Sequence, residues 1–292
     1  MLDAVFLTPA LICAKVEAGP SGLETLRKEM AMNQTIASFK VDRLKVSIFA
    51  NRGALGEAAG QAVAARMKEL LKAKKEIFMV FGAAPSQNEF LDTLSRSPGI
   101  DWKRVIAFHL DEYAGLPQTA LQSFSFFLRQ RLFGKVIPGQ VHYLNGMAQD
   151  LAAECRRYAT LFKDHPFDIA CIGIGENGHI AFNDPPVADF DDPEPVKVIA
   201  LDPASRQQQV HDGSFSDLES VPKTAMTLTI PTLFRAESIF CMVPASTKAE
   251  AVKKTLEGQI SEACPATILR RHANAVLFLE PDSARLIRSF KR

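Results

Sequence analysis

Five short apolar runs, each closed by a break and separated by helical stretches, constrain this chain more than anything else in it. Ile77 to Phe81, Val105 to Leu110, Phe167 to Ile174, Ser238 to Val243 and Ala275 to Leu279 contain few polar residues. A strand with one face in water alternates apolar and polar side chains, whereas a strand that is apolar throughout is buried on both faces. Ala54 to Leu71, Phe90 to Leu94, Phe124 to Phe133, Asp150 to Phe162, Thr247 to Leu256 and Asp282 to Ser289 read as the intervening helices. The alternation predicts an α/β fold: a Rossmann-like, mostly parallel sheet with helices on both faces, in a single main domain. Shorter runs at Val46 to Ala50, Val141 to Leu144, Val196 to Leu201 and Ala225 to Ile230 read as further strands. The regular pattern covers 46–292. Residues 1–45 are an N-terminal extension of unassigned role, either an extra layer or a subunit contact, in which Gly22 to Phe39 has the spacing of an amphipathic helix.

Charge and cysteine usage narrow the function. The formal net charge is +1, with both signs interspersed and no basic block to track a phosphate backbone, so nucleic acid is excluded as a partner. Five cysteines, with no CxxC pair, fit free thiols in a reducing compartment better than a disulfide framework. No apolar stretch approaches the roughly 20 residues of a membrane helix. The N-terminus lacks a basic region ahead of an apolar one, so no secretory leader is expected. A cytoplasmic protein with no membrane partner follows.

Ligands of such sheets bind at the carboxyl ends of the strands, which selects four loops. After Ile174 the sequence reads GIGENGHIAFNDPP. Glycines bring backbone amides close to a ligand. His179 lies among Glu176, Asn177, Asn183 and Asp184, and a histidine beside a carboxylate is the usual proton shuttle. The competing reading is a turn histidine that only closes the loop. After the next strand come Asp111 and Glu112 in HLDEYAGLP. One carboxylate should face the crevice and the other the protein. A carboxylate against an apolar wall has a raised pKa and can act as a base at carbon. A surface ion pair or a cap would explain the pair equally well. His109 and Asp111 alternate as metal ligands do, but no third ligand accompanies them, and no metal is expected.

The loop Gly82, Ala83, Ala84, Pro85, Ser86 feeds a helix start, where amides and dipole favour an anion. Against this, Ser86 and Glu89 have capping-box spacing and would satisfy that helix themselves. In PASTKAEA, Lys248 lies near a helix start, where it opposes the dipole unless an anion sits between them. A solvated surface lysine is the alternative. The Pro- and Asp-rich stretch from Asp184 to Pro195 reads as a flap over the site.

Together these loops resemble the glucosamine-6-phosphate deaminase/isomerase family, from about Ser47 to the end of the chain. The resemblance rests on LDEYAGL at 110–116, GIGENGHIAFNDP at 173–185, VPKTAMTL at 221–228 and STKAEAV at 246–252. The related 6-phosphogluconolactonases share the glycine and histidine element but not the Ile180 to Asn183 continuation, so the resemblance points to the deaminase side. It implies ring opening by His179 supported by Asp184, and proton transfer between carbons 2 and 1 by Asp111. Loss of ammonia and formation of a ketose phosphate complete the implied reaction. It implies no metal and no organic cofactor. Lys248 matches the family's phosphate lysine, with Gly82, Ala83, Ala84, Ser86 and Gly178 beside the sugar phosphate.

Five positions depart from the family pattern. Asn177 replaces an active-site aspartate and cannot shuttle a proton, Asp184 is shorter than the usual glutamate, and the phosphate loop gains methyl groups at Ala83 and Ala84. The family's phosphate arginine falls at His211, with Arg206 nearby, and histidine lacks the permanent charge and fork of arginine. The altered phosphate loop and His211 keep open another amino sugar phosphate or a sugar acid as ligand, and the use of this fold in ligand sensing keeps open a sugar-phosphate sensor without turnover. A lactonase is a weaker option. The family also implies a homo-oligomer, dimeric or larger.

Overall fold

The computed structural model describes residues 35–288. Its centre is an eight-stranded sheet made of β1 (Thr35–Val41), β2 (Leu44–Phe49), β3 (Ile77–Phe81), β4 (Val105–His109), β6 (Gln140–His142), β7 (Ile169–Ile172), β10 (Ser238–Met242) and β11 (Ala275–Leu279), in the order β1-β2-β11-β10-β7-β3-β4-β6. The β1–β2 pair is antiparallel and every other pair is parallel. All five residues of β3, β4 and β10 are buried, as expected of strands covered on both faces.

The two faces separate by residue parity. Ile77, Met79 and Phe81 enter a core with Leu55, Val63 and Met67 of helix α1 (Arg52–Ala73) and Phe90, Leu91 and Leu94 of α2 (Asn88–Ser95). Phe78 and Val80 enter the opposite core with Cys155 and Tyr158 of α4 (Leu151–Thr160) and Val252 and Leu256 of α7 (Ala249–Glu257). Local chemistry sets the helix starts. Asn51 accepts from the Ala54 amide at 2.9 Å and Asp150 from the Ala153 amide at 2.9 Å, satisfying donors that a helix leaves unpaired.

Three expectations change. The hairpin β1–β2 joins the main sheet through β11, so the α/β unit already includes Thr35–Val41, ahead of residue 46. Residues 35–39 are therefore strand and not part of an amphipathic helix, while the remainder of the extension, 1–34, lies outside the described residues. Second, Val196–Ala200 (β8) and Thr224–Leu228 (β9) are not in the main sheet. They pair antiparallel with Asp111–Tyr113 (β5) in a separate sheet of order β5-β9-β8. The mixed burial of β8, with Val198 exposed, is the half-wet pattern of such a strand. Third, the last helix (α8) is only Pro281–Ala284, begun by a capping box from Glu280, and Ser289 lies outside the described residues.

The remaining helices are α3 (Phe124–Leu128), which continues as a π-helical turn over Arg129–Phe133, α5 (Pro203–His211) and α6 (Ile230–Phe234). No helix among the described residues is long and apolar enough to cross a membrane. Cys155, Cys171, Cys241 and Cys264 are free and buried.

Candidate active site

A cleft of about 610 Å³ opens where β3, β4, β7 and β10 end. It takes lining residues from all four selected loops, among them Ser86, Asp111, His179 and Lys248.

Asp111 and Glu112 divide as alternate positions of a strand must. Glu112 turns inward and accepts the amides of Tyr113 (3.1 Å), Phe124 (3.0 Å) and Ser125 (2.9 Å), which fixes the start of α3. Asp111 turns into the cleft beside Leu110, Phe124 and Phe182. Its carboxyl has no hydrogen-bond donor among the described residues, and its pKa stands well above the ordinary range, first through burial and then through the negative charges of Glu112 and Asp184. A carboxylate in that setting is a strong base.

His179 is held from three sides through one ring atom. Its Nδ1 lies 2.8 Å from Asn177 Oδ1, 2.9 Å from Asp184 Oδ1 and 2.9 Å from Ser205 Oγ. Asn177 Nδ2 donates to Asp184 Oδ1 at 2.8 Å, so its Oδ1 is the atom facing the ring. Burial acts to raise the pKa of Asp184, but the hydrogen bonds and charge of His179 and the donors on Asn177 and Ser205 outweigh it and hold the carboxyl below its usual value. Asp184 is therefore ionised and accepts only. Facing an acceptor-only carboxylate, Nδ1 carries a proton, and Nε2 is the ring atom left to exchange one with a ligand.

The loop can hold this ring because of two glycines. A Cβ on Gly175 would lie 2.1–2.3 Å from three atoms of the imidazole, so only hydrogen fits there. Gly178 has φ +91°, in the left-handed region, and a Cβ would lie 2.5 Å from Cys264 Sγ. Strand β9 ties this loop to Asp111. Thr227 pairs with Asp111 across the small sheet and accepts the Phe182 amide at 3.1 Å, while Leu228 O accepts from Asn183 Nδ2 at 2.8 Å.

The far end of the cleft is built differently. Gly82, Ala83, Ala84 and Ser86 line it, but the Gly82 amide is spent on Cys171 O at 2.8 Å. Ser86 does not cap α2. Its hydroxyl meets Gln87 Nε2 at 3.1 Å, and Glu89 is engaged by Arg52 Nε at 2.8 Å, so the capping-box reading is replaced by an ion pair between α1 and α2. Lys248 closes a 3-10 turn, Ser246–Lys248, ahead of α7 and is buried in the cleft wall. Burial lowers its pKa against the pull of Asp212 and Glu176, and no acceptor among the described residues reaches its ammonium.

Several expected ligand residues lie elsewhere. Arg206 does not line the cleft; its guanidinium donates to Leu218 O and to Val221 O, the latter at 3.0 Å, and so fastens the segment after α5. His211 is half exposed and faces Glu176 at 3.3 Å. Asn177, Gly178 and Asp184 are behind the cleft wall, where they shape and support His179. Asp184 to Pro195 contributes nothing to the lining, and Lys197 Nζ ties it down at Val187 O (2.6 Å) and Asp192 (2.7 Å). Buried His109 accepts the Leu144 amide on Nε2 at 2.8 Å and titrates at about 3, lowered by burial. Among the described residues no group of three or more His, Cys, Asp or Glu side chains is placed to hold a metal.

Residues 50–278 match the glucosamine-6-phosphate isomerases/6-phosphogluconolactonase family. The chain belongs to this family. A relative named glucosamine-6-phosphate deaminase from Bacillus thuringiensis (strain Al Hakam) is 38% identical over 191 residues, 65% of this chain and 71% of the relative. A solved structure described as a monomeric glucosamine-6-phosphate deaminase, a missing link of the NagB superfamily, superposes with TM-score 0.76 at 31% identity, covering 82% of this chain and 99% of that one. A 6-phosphogluconolactonase from Thermotoga maritima has the same fold, with TM-score 0.66 at 20% identity over 81% of this chain and 99% of its own.

Within this family member, sequence reading had missed a set of site residues on α5. Gln208, Gln209 and Asp212 line the cleft, and Ser205 reaches His179 behind it. Their spacing of 205, 208, 209 and 212 is one face of a helix. A polar stripe at helical spacing was the available signal, and residues 206 and 211 fall off that face. Gln87, buried beside Ser86 with no partner for Oε1 among the described residues, carries no such sequence signal.

Proposed function

We propose that the chain is an aldose-ketose isomerase/deaminase of amino sugar metabolism. It converts glucosamine 6-phosphate, or a close amino sugar phosphate, and water to a ketose phosphate and ammonia. The observation carrying this reading is that a buried carboxylate with no hydrogen-bond donor among the described residues, Asp111, and a histidine with Nε2 left to exchange a proton, His179, line one cleft together with Lys248.

The chemistry follows from those three groups. His179 Nε2 takes the anomeric hydroxyl proton and returns it to the ring oxygen, opening the sugar to an aldehyde. Asp111 removes the proton from carbon 2, next to the carbonyl, giving an enol-type intermediate, and delivers it to carbon 1. The resulting imine at carbon 2 adds water and releases ammonia. Lys248 holds the phosphate, assisted by the loop from Ala83 to Ser86. Asn177 contributes position and not a proton.

The decisive assay follows ammonia release from glucosamine 6-phosphate and a panel of amino sugar phosphates. No turnover of any of them removes this reading. A second reading, the same mechanism on a different sugar or sugar acid, is favoured by Asp212, a carboxylate that lines the cleft with Lys248 and acts on its charge. It predicts turnover or binding of a ligand with less terminal negative charge in the same panel. Binding without turnover across the panel would leave a sensor. Cytoplasmic location and a homodimer or larger assembly belong to this reading too. The assembly stands against the monomeric description of the relative above, and a 32.1 kDa species in sedimentation would end it.

A further inference from the structure

We propose that Ser205 is a positioning residue for His179, acting as acceptor for its Nδ1–H and donor to Asp184 at once. The inference rests on the function proposed above for His179, but its geometry stands alone. Ser205 is buried at the third position of α5, absent from the cleft lining, with Oγ 2.9 Å from His179 Nδ1 and 2.5 Å from Asp184 Oδ1.

A hydroxyl has one proton. The ionised Asp184 can only accept, so that proton goes to Oδ1, and the lone pairs of Oγ face the ring. The hydroxyl dipole thus lies with its oxygen toward the imidazole and its hydrogen toward the carboxylate, and it stabilises both charges when His179 is protonated. Among the described residues no other hydroxyl bonds both the ring and Asp184. Asp184 is fully buried, and its Oδ2 has no partner among the described residues. Nδ1 also meets the uncharged Asn177 Oδ1 at 2.8 Å and Asp184 Oδ1 itself at 2.9 Å, and Phe182 lies 6.5 Å from the ring. Asp111 and Lys248 face His179 only across the cleft.

The test is a histidine ¹⁵N NMR titration of the full chain without ligand, with His179 assigned by its loss in His179→Gln. Ser205→Ala should lower the His179 midpoint by about one unit, a tenfold loss in proton affinity. Ser205→Thr, which keeps the hydroxyl, should restore it. In the ammonia assay the same alanine variant should lower kcat about tenfold with KM within twofold, because Ser205 does not touch the cleft. A midpoint that stays or rises in the alanine variant overturns the proposal. If circular dichroism shows the alanine variant unfolded, Ser205→Cys, similar in size with a weak donor, must show the same fall, and an unchanged midpoint there also overturns it. Absence of turnover in the unmodified protein would end the functional reading, and the titration would still decide the role of Ser205.

Discussion

The two ends of the cleft obey different rules. At the Asp111 and His179 end each functional group has a fixed frame: Glu112 pins the strand beside Asp111, three partners share His179 Nδ1, and β9 ties both loops together. At the Lys248 end a buried ammonium shares the cleft with the Asp212 carboxylate, glutamines line the wall, and the Arg206 guanidinium is spent on carbonyls. Proton transfer needs placement to a fraction of an ångström, whereas holding an anion needs net charge and tolerates looser geometry. The first end should therefore fail abruptly under small changes, and the second should shift ligand preference gradually.

The largest effect should come from Asp111→Asn, which keeps shape and removes the base. Ammonia release should fall about a thousandfold, within the usual general-base range of about 10²–10⁴. The same change should raise Tm. Asp111 has a folded-state pKa above its unfolded one, so the native state holds that proton more tightly, and stability is lost as pH rises through the folded value. At neutral pH the buried carboxylate is a cost, and each kcal/mol removed is worth about 2–4 °C in a chain of this size. For the unaltered enzyme, kcat/KM should fall as pH drops through a value above the ordinary carboxylate pKa of about 4, because Asp111 must be ionised to accept a proton. A rate that is flat down to that ordinary value would remove Asp111 as the base.

Gly175→Ala comes next. Its methyl would overlap the imidazole, and displacing that ring by an ångström should cost about a hundredfold in kcat, read by steady-state kinetics, with the fold intact by circular dichroism. At the other end, Lys248→Met should raise KM for a sugar phosphate roughly tenfold or more through loss of a charge-assisted contact, with a smaller change in kcat. Asp212→Asn should act in the opposite direction and lower that KM several-fold, since it removes a like charge from the anion's surroundings. If it raises KM, Asp212 is a ligand contact and the second functional reading gains. The smallest effect is expected for His211→Ala, whose partner is the surface-side Glu176: KM should stay within twofold.

How much of this was legible differs by residue. Asp111, His179 and Lys248 could be found because each sits just past an apolar run, and strand ends are where ligands bind in such sheets. That Asp111 and not Glu112 faces the cleft was open in the sequence, because both answers satisfy the alternation; the amides at the start of α3 decided it. The expected role of His211 follows from a residue count along the family motif. The count is silent on helix rotation, and α5 presents 205, 208, 209 and 212 to the site instead.

The sequence by itself determined the layered α/β core and the loop from Gly173 to Pro186, since apolar runs and helical periodicity are local properties of the chain and the glycines mark where the backbone must pass close to another group. Only the tertiary structure decided which partners meet. The separate β5-β9-β8 sheet, the Ser205 hydroxyl behind His179, and the Asp212 carboxylate in the cleft with Lys248 all join residues far apart in the chain. Contacts of that kind arise from how packed elements rotate and cross, and a one-dimensional pattern carries no record of that rotation.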